Sequence, residues 1–196
     1  MVLAQDGEDE MALLRGEKVR LTALGEGDLE VLERWHEDDE FLRLFDSNPA
    51  APRPKASLKK WIEEAEEASD TFLFAVRALA DDALLGIALI EDIEWSNQQG
   101  WLSIGLGNRS TWGKGYGKDA TRLLVGFAFR ELNLYRLSLT VFDYNVRAIS
   151  LYEAIGFRRE GTFREFGNRD GKRYDLVLYG LLRTEWEGHS GEPPGR

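Results

Sequence analysis

The stretch Trp112-Gly113-Lys114-Gly115-Tyr116-Gly117-Lys118 decides how this chain is read. Its three glycines at alternate positions leave backbone N–H groups unobstructed. The apolar run Trp101 to Leu106 before it reads as a strand. After it, Ala120, Leu123, Leu124, Phe127 and Ala128 form one stripe of a helix from about Tyr116 to Leu132. A glycine-rich loop that opens a helix turns free N–H groups and the partial positive charge of the first turn toward an anion, and suits a pyrophosphate. Lys114 and Lys118 are further candidate anion contacts. A Walker loop is excluded, because Tyr116 follows Gly115 where G-x-x-x-x-G-K-[ST] needs lysine. A G-x-G-x-x-G fingerprint is excluded too, because Lys118 stands where its third glycine belongs. Taken alone, the residues fit a plain glycine turn equally well.

Working outward, Lys18 to Leu21 reads as a first strand. Asp28 is a candidate N-cap for a helix carrying Leu29, Leu32 and Trp35, and Ser57 for one carrying Leu58, Trp61, Ile62 and Ala65. Glu63, Glu64, Glu66 and Glu67 form the solvated face of the second helix. Between them the prolines Pro49, Pro52 and Pro54 mark a loop. Phe72 to Arg77 and Leu84 to Trp95 read as strands, with Ser96 to Gly100 as a hairpin connection. Arg136 to Phe142 is a further strand. Asn145 caps a short helix ended by Gly156. Thr162 to Phe166 and Arg173 to Leu182 pair around Asn168-Arg169-Asp170-Gly171. The order β-αα-βββ-α-β-α-ββ is that of a mixed α/β (α+β) chain with about seven strands. Residues 1–15 and 187–196 read as loose tails around a single domain at 16–186.

Composition narrows the function. The 196 residues hold 43% apolar and 11% aromatic side chains, enough for a core. A net charge of −10 disfavours nucleic acid as a partner and mildly favours a cationic one. No apolar run approaches the roughly eighteen residues of a membrane span, and the N-terminus lacks signal-peptide character. The absence of cysteine removes disulfides, thiolate metal sites and a cysteine nucleophile, and fits a cytoplasmic location. With His36 and His189 far apart, no metal site is expected.

About thirty residues beyond the loop lies Asn145-Val146-Arg147-Ala148-Ile149-Ser150-Leu151-Tyr152-Glu153-Ala154-Ile155-Gly156-Phe157. Together with the loop, this segment resembles the GNAT superfamily of N-acetyltransferases, in particular the branch of ribosomal-protein-alanine and spermidine acetyltransferases. That family carries [QR]-x-x-G-x-[GA] at its CoA pyrophosphate and N-x-x-[AS]-x-x-[LF]-Y-x-x-x-G-F by the thioester. The resemblance covers roughly residues 16–186. It departs at Trp112, where glutamine or arginine is usual, which weakens one side-chain contact to phosphate in a loop that binds mainly through its backbone.

The resemblance implies a GNAT fold: a mixed, mostly antiparallel sheet flanked by helices. It implies acetyl-CoA as cosubstrate and an amine as acceptor, a possible homodimer, and direct attack in a ternary complex. Trp112 to Lys118 would hold the pyrophosphate, a splayed strand containing Ile104, Gly105 and Leu106 the pantetheine arm, and Asn145 a further donor contact. A backbone N–H near Ile104 or Leu106 would face the developing oxyanion. Tyr152 would donate to the departing thiolate. A lysine-like amine has a pKa of about 10.4 and must lose a proton before it attacks. Glu91, Asp92 and Glu94 are candidate bases, with Glu94 taken as the catalytic one; regular strand alternation sets Asp92 and Glu94 on one face and Glu91 on the other. Charges guarding a sheet edge explain them as well. A CoA-binding sensor without turnover is the alternative function.

Overall fold

The computed structural model describes residues 13–190, with side chains through 187. Seven strands form one sheet: β1 (Val19–Thr22), β2 (Phe72–Ala78), β3 (Leu84–Glu94), β4 (Gln99–Leu106), β5 (Arg136–Phe142), β6 (Arg158–Arg169) and β7 (Lys172–Leu182). Their order is β1-β2-β3-β4-β5-β7-β6. Six helices accompany them: α1 (Leu29–His36), α2 (Asp39–Phe45), α3 (Lys55–Glu67), α4 (Tyr116–Arg130), α5 (Val146–Glu153) and α6 (Arg183–Ser190). The mixed, mostly antiparallel sheet expected from the sequence is borne out.

The sheet is buried on both faces at its centre, which is why β3 reads as an unbroken apolar run rather than an alternating one. Ala75, Ile87 and Leu89 pack with Leu32, Leu58 and Ile62 of α1 and α3. Val76, Ala88 and Ile90 pack on the other face with Leu124 and Val125 of α4. Fully burying one such side chain contributes about 1.5–3 kcal/mol, and truncating Leu124, which is 0% exposed, costs about 2–5 kcal/mol by leaving a cavity.

The single parallel pair positions the site. β4 and β5 are in register only at Gln99↔Arg136, Gly100↔Leu137 and Trp101↔Ser138. Beyond Trp101 they part, and β5 continues on β7 alone. The N–H groups of β4 that face this gap have no β5 partner.

Several local expectations change. Asp28 stands at the N-cap of α1 as expected but makes no side-chain cap bond there: its carboxylate accepts from the Gly25 N–H at 2.7 Å and from Arg77 Nη2 at 2.6 Å. Ser57 lies inside α3, which begins at Lys55, whose N–H donates to Glu33 Oε1 at 3.0 Å. The family resemblance implies a loop around Phe41 to Asn48 at the acceptor pocket; its first part is instead the end of a helix, α2, capped by Asp38 through the N–H groups of Glu40 and Phe41. The alternation of Glu91, Asp92 and Glu94 is broken by a bulge, with Asp92 at φ +50. The expected tails lie mostly outside the described residues; within them, the Leu14 carbonyl accepts from the Leu21 N–H, and α6 runs through 187–190.

Candidate active site

The glycine loop is built by backbone conformation. Gly113 (φ +74) and Gly115 (φ +89) are left-handed, a region that side chains disfavour, and Gly115 is the N-cap of α4. The start of α4 is pinned to β1 by Asp119. Its carboxylate accepts from the N–H groups of Lys18 at 2.7 Å and Val19 at 3.0 Å. Lys18 Nζ donates to the Lys114 carbonyl at 2.7 Å. Asp119 was not read from the sequence, since nothing local marks a contact a hundred residues away.

A cavity of about 300 Å³ opens between this loop, β4, α5 and Phe45 of α2. Of the sequence candidates, Ile104, Gly105, Leu106, Trp112, Gly113, Gly115, Gly117, Lys118, Asn145 and Tyr152 line it. Tyr116 packs against the core instead, and the Lys114 side chain is exposed. Asn145 Oδ1 accepts from the Ala148 N–H at 3.2 Å and so caps α5. Tyr152 is 6% exposed, and burial pushes its pKa up to about 12, so its hydroxyl stays protonated at neutral pH. Gly156 (φ +114) closes the turn after α5, donating to the Tyr152 and Glu153 carbonyls.

Side chains of β4 alternate between the faces of the sheet. Ile104 and Leu106 pack with the α4 layer, whereas a Cβ on Gly105 would lie 2.5 Å from Phe45 and one on Gly107 1.9 Å from Trp35. Glycine at these two positions leaves room for the aromatic side chains of α1 and α2.

On that second face, two further chambers of about 220 and 290 Å³ share Phe45, Asp46, Glu91 and Ser103. Ser103 Oγ donates to Glu91 Oε1 at 2.6 Å. Burial lifts Glu91 above the usual carboxylate range against the lowering pull of Ser103, with Asp92 and Asp46 adding to the rise. Glu94 lies outside these spaces: it is exposed, opposite Gln99, and accepts from Asn97 Nδ2 at 2.7 Å. His36 lines one chamber, is 4% exposed and bonds through Nδ1 to the Leu32 carbonyl at 2.9 Å, and burial lowers its pKa. Among the described residues no cluster of histidine, cysteine or carboxylate suits a metal ion, and no helix is long and apolar enough to cross a membrane.

The hairpin tip braces the chamber. Asp170 (φ +53) and Gly171 (φ +76) make a two-residue turn of the type that joins β6 and β7. Beside it, Arg169 Nη2 donates to the carbonyls of Asp46, Ser47 and Asn48. Arg43 pairs with Asp170 at 2.7 Å. Ser103 and Arg169 went unread as site residues. Their meeting depends on pairing between distant segments.

Residues 18–158 match the family model described as an acetyltransferase (GNAT) domain. A prophage-derived uncharacterized N-acetyltransferase, YokL of Bacillus subtilis, is 30% identical over 90% of this chain and 96% of its own length. A putative ribosomal N-acetyltransferase of the same organism, YdaF, is 33% identical over 56% of this chain and 60% of its own. The fold is also that of spermidine N-acetyltransferase from Vibrio cholerae, solved with CoA and spermine: TM-score 0.78, 21% identity, 86% of this chain and 97% of that one. The chain belongs to the GNAT acetyltransferase family. It is an N-acetyltransferase, and acetyl-CoA as acyl donor follows from that membership.

Proposed function

We propose that the chain acetylates a primary amine that enters as a cation beside Glu91 and meets acetyl-CoA at the parting of β4 and β5. The observation that carries this reading is the meeting of two unlike spaces at Phe45. One is walled by glycine backbone and apolar side chains; the other holds Glu91, Ser103 and Asp46. The first fits the donor: about 300 Å³ holds a pantetheine-sized arm, and the left-handed glycines leave N–H groups free at a helix start for a pyrophosphate.

Acetyl-CoA supplies the acetyl thioester, which the amine attacks directly; the C–S bond breaks as the C–N bond forms, and the nitrogen's second proton passes to the departing sulfur. The Glu91 carboxylate takes the ammonium proton, while Ser103 holds that carboxylate in place. N–H groups of β4 at the gap donate to the oxygen where charge develops. Tyr152 is a weaker acid than a thiol of pKa about 8.5. It therefore stabilises the departing sulfur by donating a hydrogen bond more than by giving up its proton. Placing both reactants in one site supplies much of the remaining acceleration.

Protein N-termini, polyamines and other small cationic amines are the acceptor classes this chamber suits. A thiol-release screen across these classes tests the reading. Release with at least one amine is expected. Tight CoA binding with no release on any of them would favour a non-catalytic CoA-binding module.

A further inference from the structure

The glycine loop opens on an indole, and a cation reaches it from another part of the chain. Arg147, in the first turn of α5, lies with its guanidinium carbon 4.5 Å from the centre of the Trp112 ring. Trp112 is itself fixed, because its Nε1 donates to the Leu106 carbonyl at 2.8 Å. Both residues line the donor cavity with Gly113, Gly115 and Lys118. Arg20, Arg43, Arg77, Arg109, Arg136 and Arg158 all pair with carboxylates. Among the described residues Arg147 has no carboxylate partner, in a chain of net charge −10.

A guanidinium laid on an aromatic face keeps its N–H groups in its own plane, pointing away from the ring. Those edges are free to donate two parallel hydrogen bonds to an oxyanion, the geometry that suits phosphate. The indole thus spends its face on holding the arginine and its N–H on holding itself, and the loop's first position binds the ligand at one remove.

We propose that Arg147, positioned by Trp112, binds the pyrophosphate of acetyl-CoA and supplies from α5 the cation that the loop's first residue does not carry. The proposal rests on the reading of this cavity as the acetyl-CoA site. It ties the donor's phosphates to the short helix that also carries Tyr152, five residues further on.

Calorimetry with CoA, dephospho-CoA and pantetheine tests it, on the wild-type chain and on Arg147→Ala, Trp112→Ala, Trp112→Phe and the Arg147→Ala/Trp112→Ala double variant. Arg147→Ala should weaken CoA and dephospho-CoA alike by about tenfold or more and leave pantetheine unchanged. Trp112→Phe keeps a ring under the guanidinium and should stay near wild type. Trp112→Ala should approach the loss of Arg147→Ala, and the double variant should be no worse than either. A loss confined to CoA would move Arg147 to the 3′-phosphate and overturn the assignment. Equal loss with pantetheine, or no loss, would overturn it as well. Gly115→Val separates the two levels. If it leaves CoA affinity intact, the cavity reading itself fails; if it abolishes binding while Arg147→Ala does nothing, only the role of Arg147 fails.

Discussion

The two sides of the β4–β5 gap are built by different means. On the proposed donor side, short local segments shape the space through backbone conformation: Gly113 and Gly115 are left-handed, and Asn145 caps the helix that bears Tyr152. On the proposed acceptor side, side chains from five separate segments meet: His36, Phe45 with Asp46, Glu91, Ser103 and Arg169. A ligand shared by a whole family can be met by a constant backbone cradle. An acceptor that differs between relatives is met by side chains, which change without disturbing the sheet.

The contrast breaks first at Gly115. A valine there would have to adopt φ +89 beside Lys18 Nζ, and should weaken acetyl-CoA binding by more than about a hundredfold; calorimetry reads this directly. Tyr152→Phe comes next. It should lower kcat about a hundredfold with little change in acetyl-CoA affinity, and an unchanged kcat would remove Tyr152 from the chemistry.

Glu91→Gln sharpens the acceptor side. With its pKa raised by burial, Glu91 must be ionised to accept a proton, so kcat/KM should fall as pH drops through that raised value. The glutamine variant should lose about tenfold or more at neutral pH, and with it this acid limb. Glu94→Gln, at the exposed hairpin end, should keep both rate and profile. If Glu94→Gln carries the loss instead, the base lies outside the chamber. Arg169→Ala should act more weakly. By freeing the Asp46–Asn48 carbonyls it should raise the acceptor KM several-fold and leave the KM for acetyl-CoA alone.

The smallest effect concerns stability. His36 is buried and its pKa is lowered, so the folded state favours the neutral ring. Its contribution is complete above the unfolded value of about 6.5 and is lost as pH falls from there toward the lowered folded value. Thermal melts from pH 7.5 to 5 should show the midpoint declining below about 6.5, and His36→Gln should flatten that decline.

The sequence by itself determined the seven strands, the helices α1, α3, α4 and α5, and the glycine-rich turn that opens α4. Each is encoded locally: apolar period sets strands and helices, and glycine marks where the backbone must turn left-handed. The hairpin turn at Asp170-Gly171 and the ends of α5 were legible for the same reason. What the tertiary structure alone decided was which side chains meet around the cavities. One bulge after Glu91 breaks the regular alternation of Glu91, Asp92 and Glu94, and the Glu91–Ser103 bond exists only because β3 and β4 pair in one register. Likewise, nothing local in the chain shows that α5 brings Arg147 over the Trp112 ring. Side-chain chemistry at a distance depends on packing between segments far apart in the chain, which no local pattern carries.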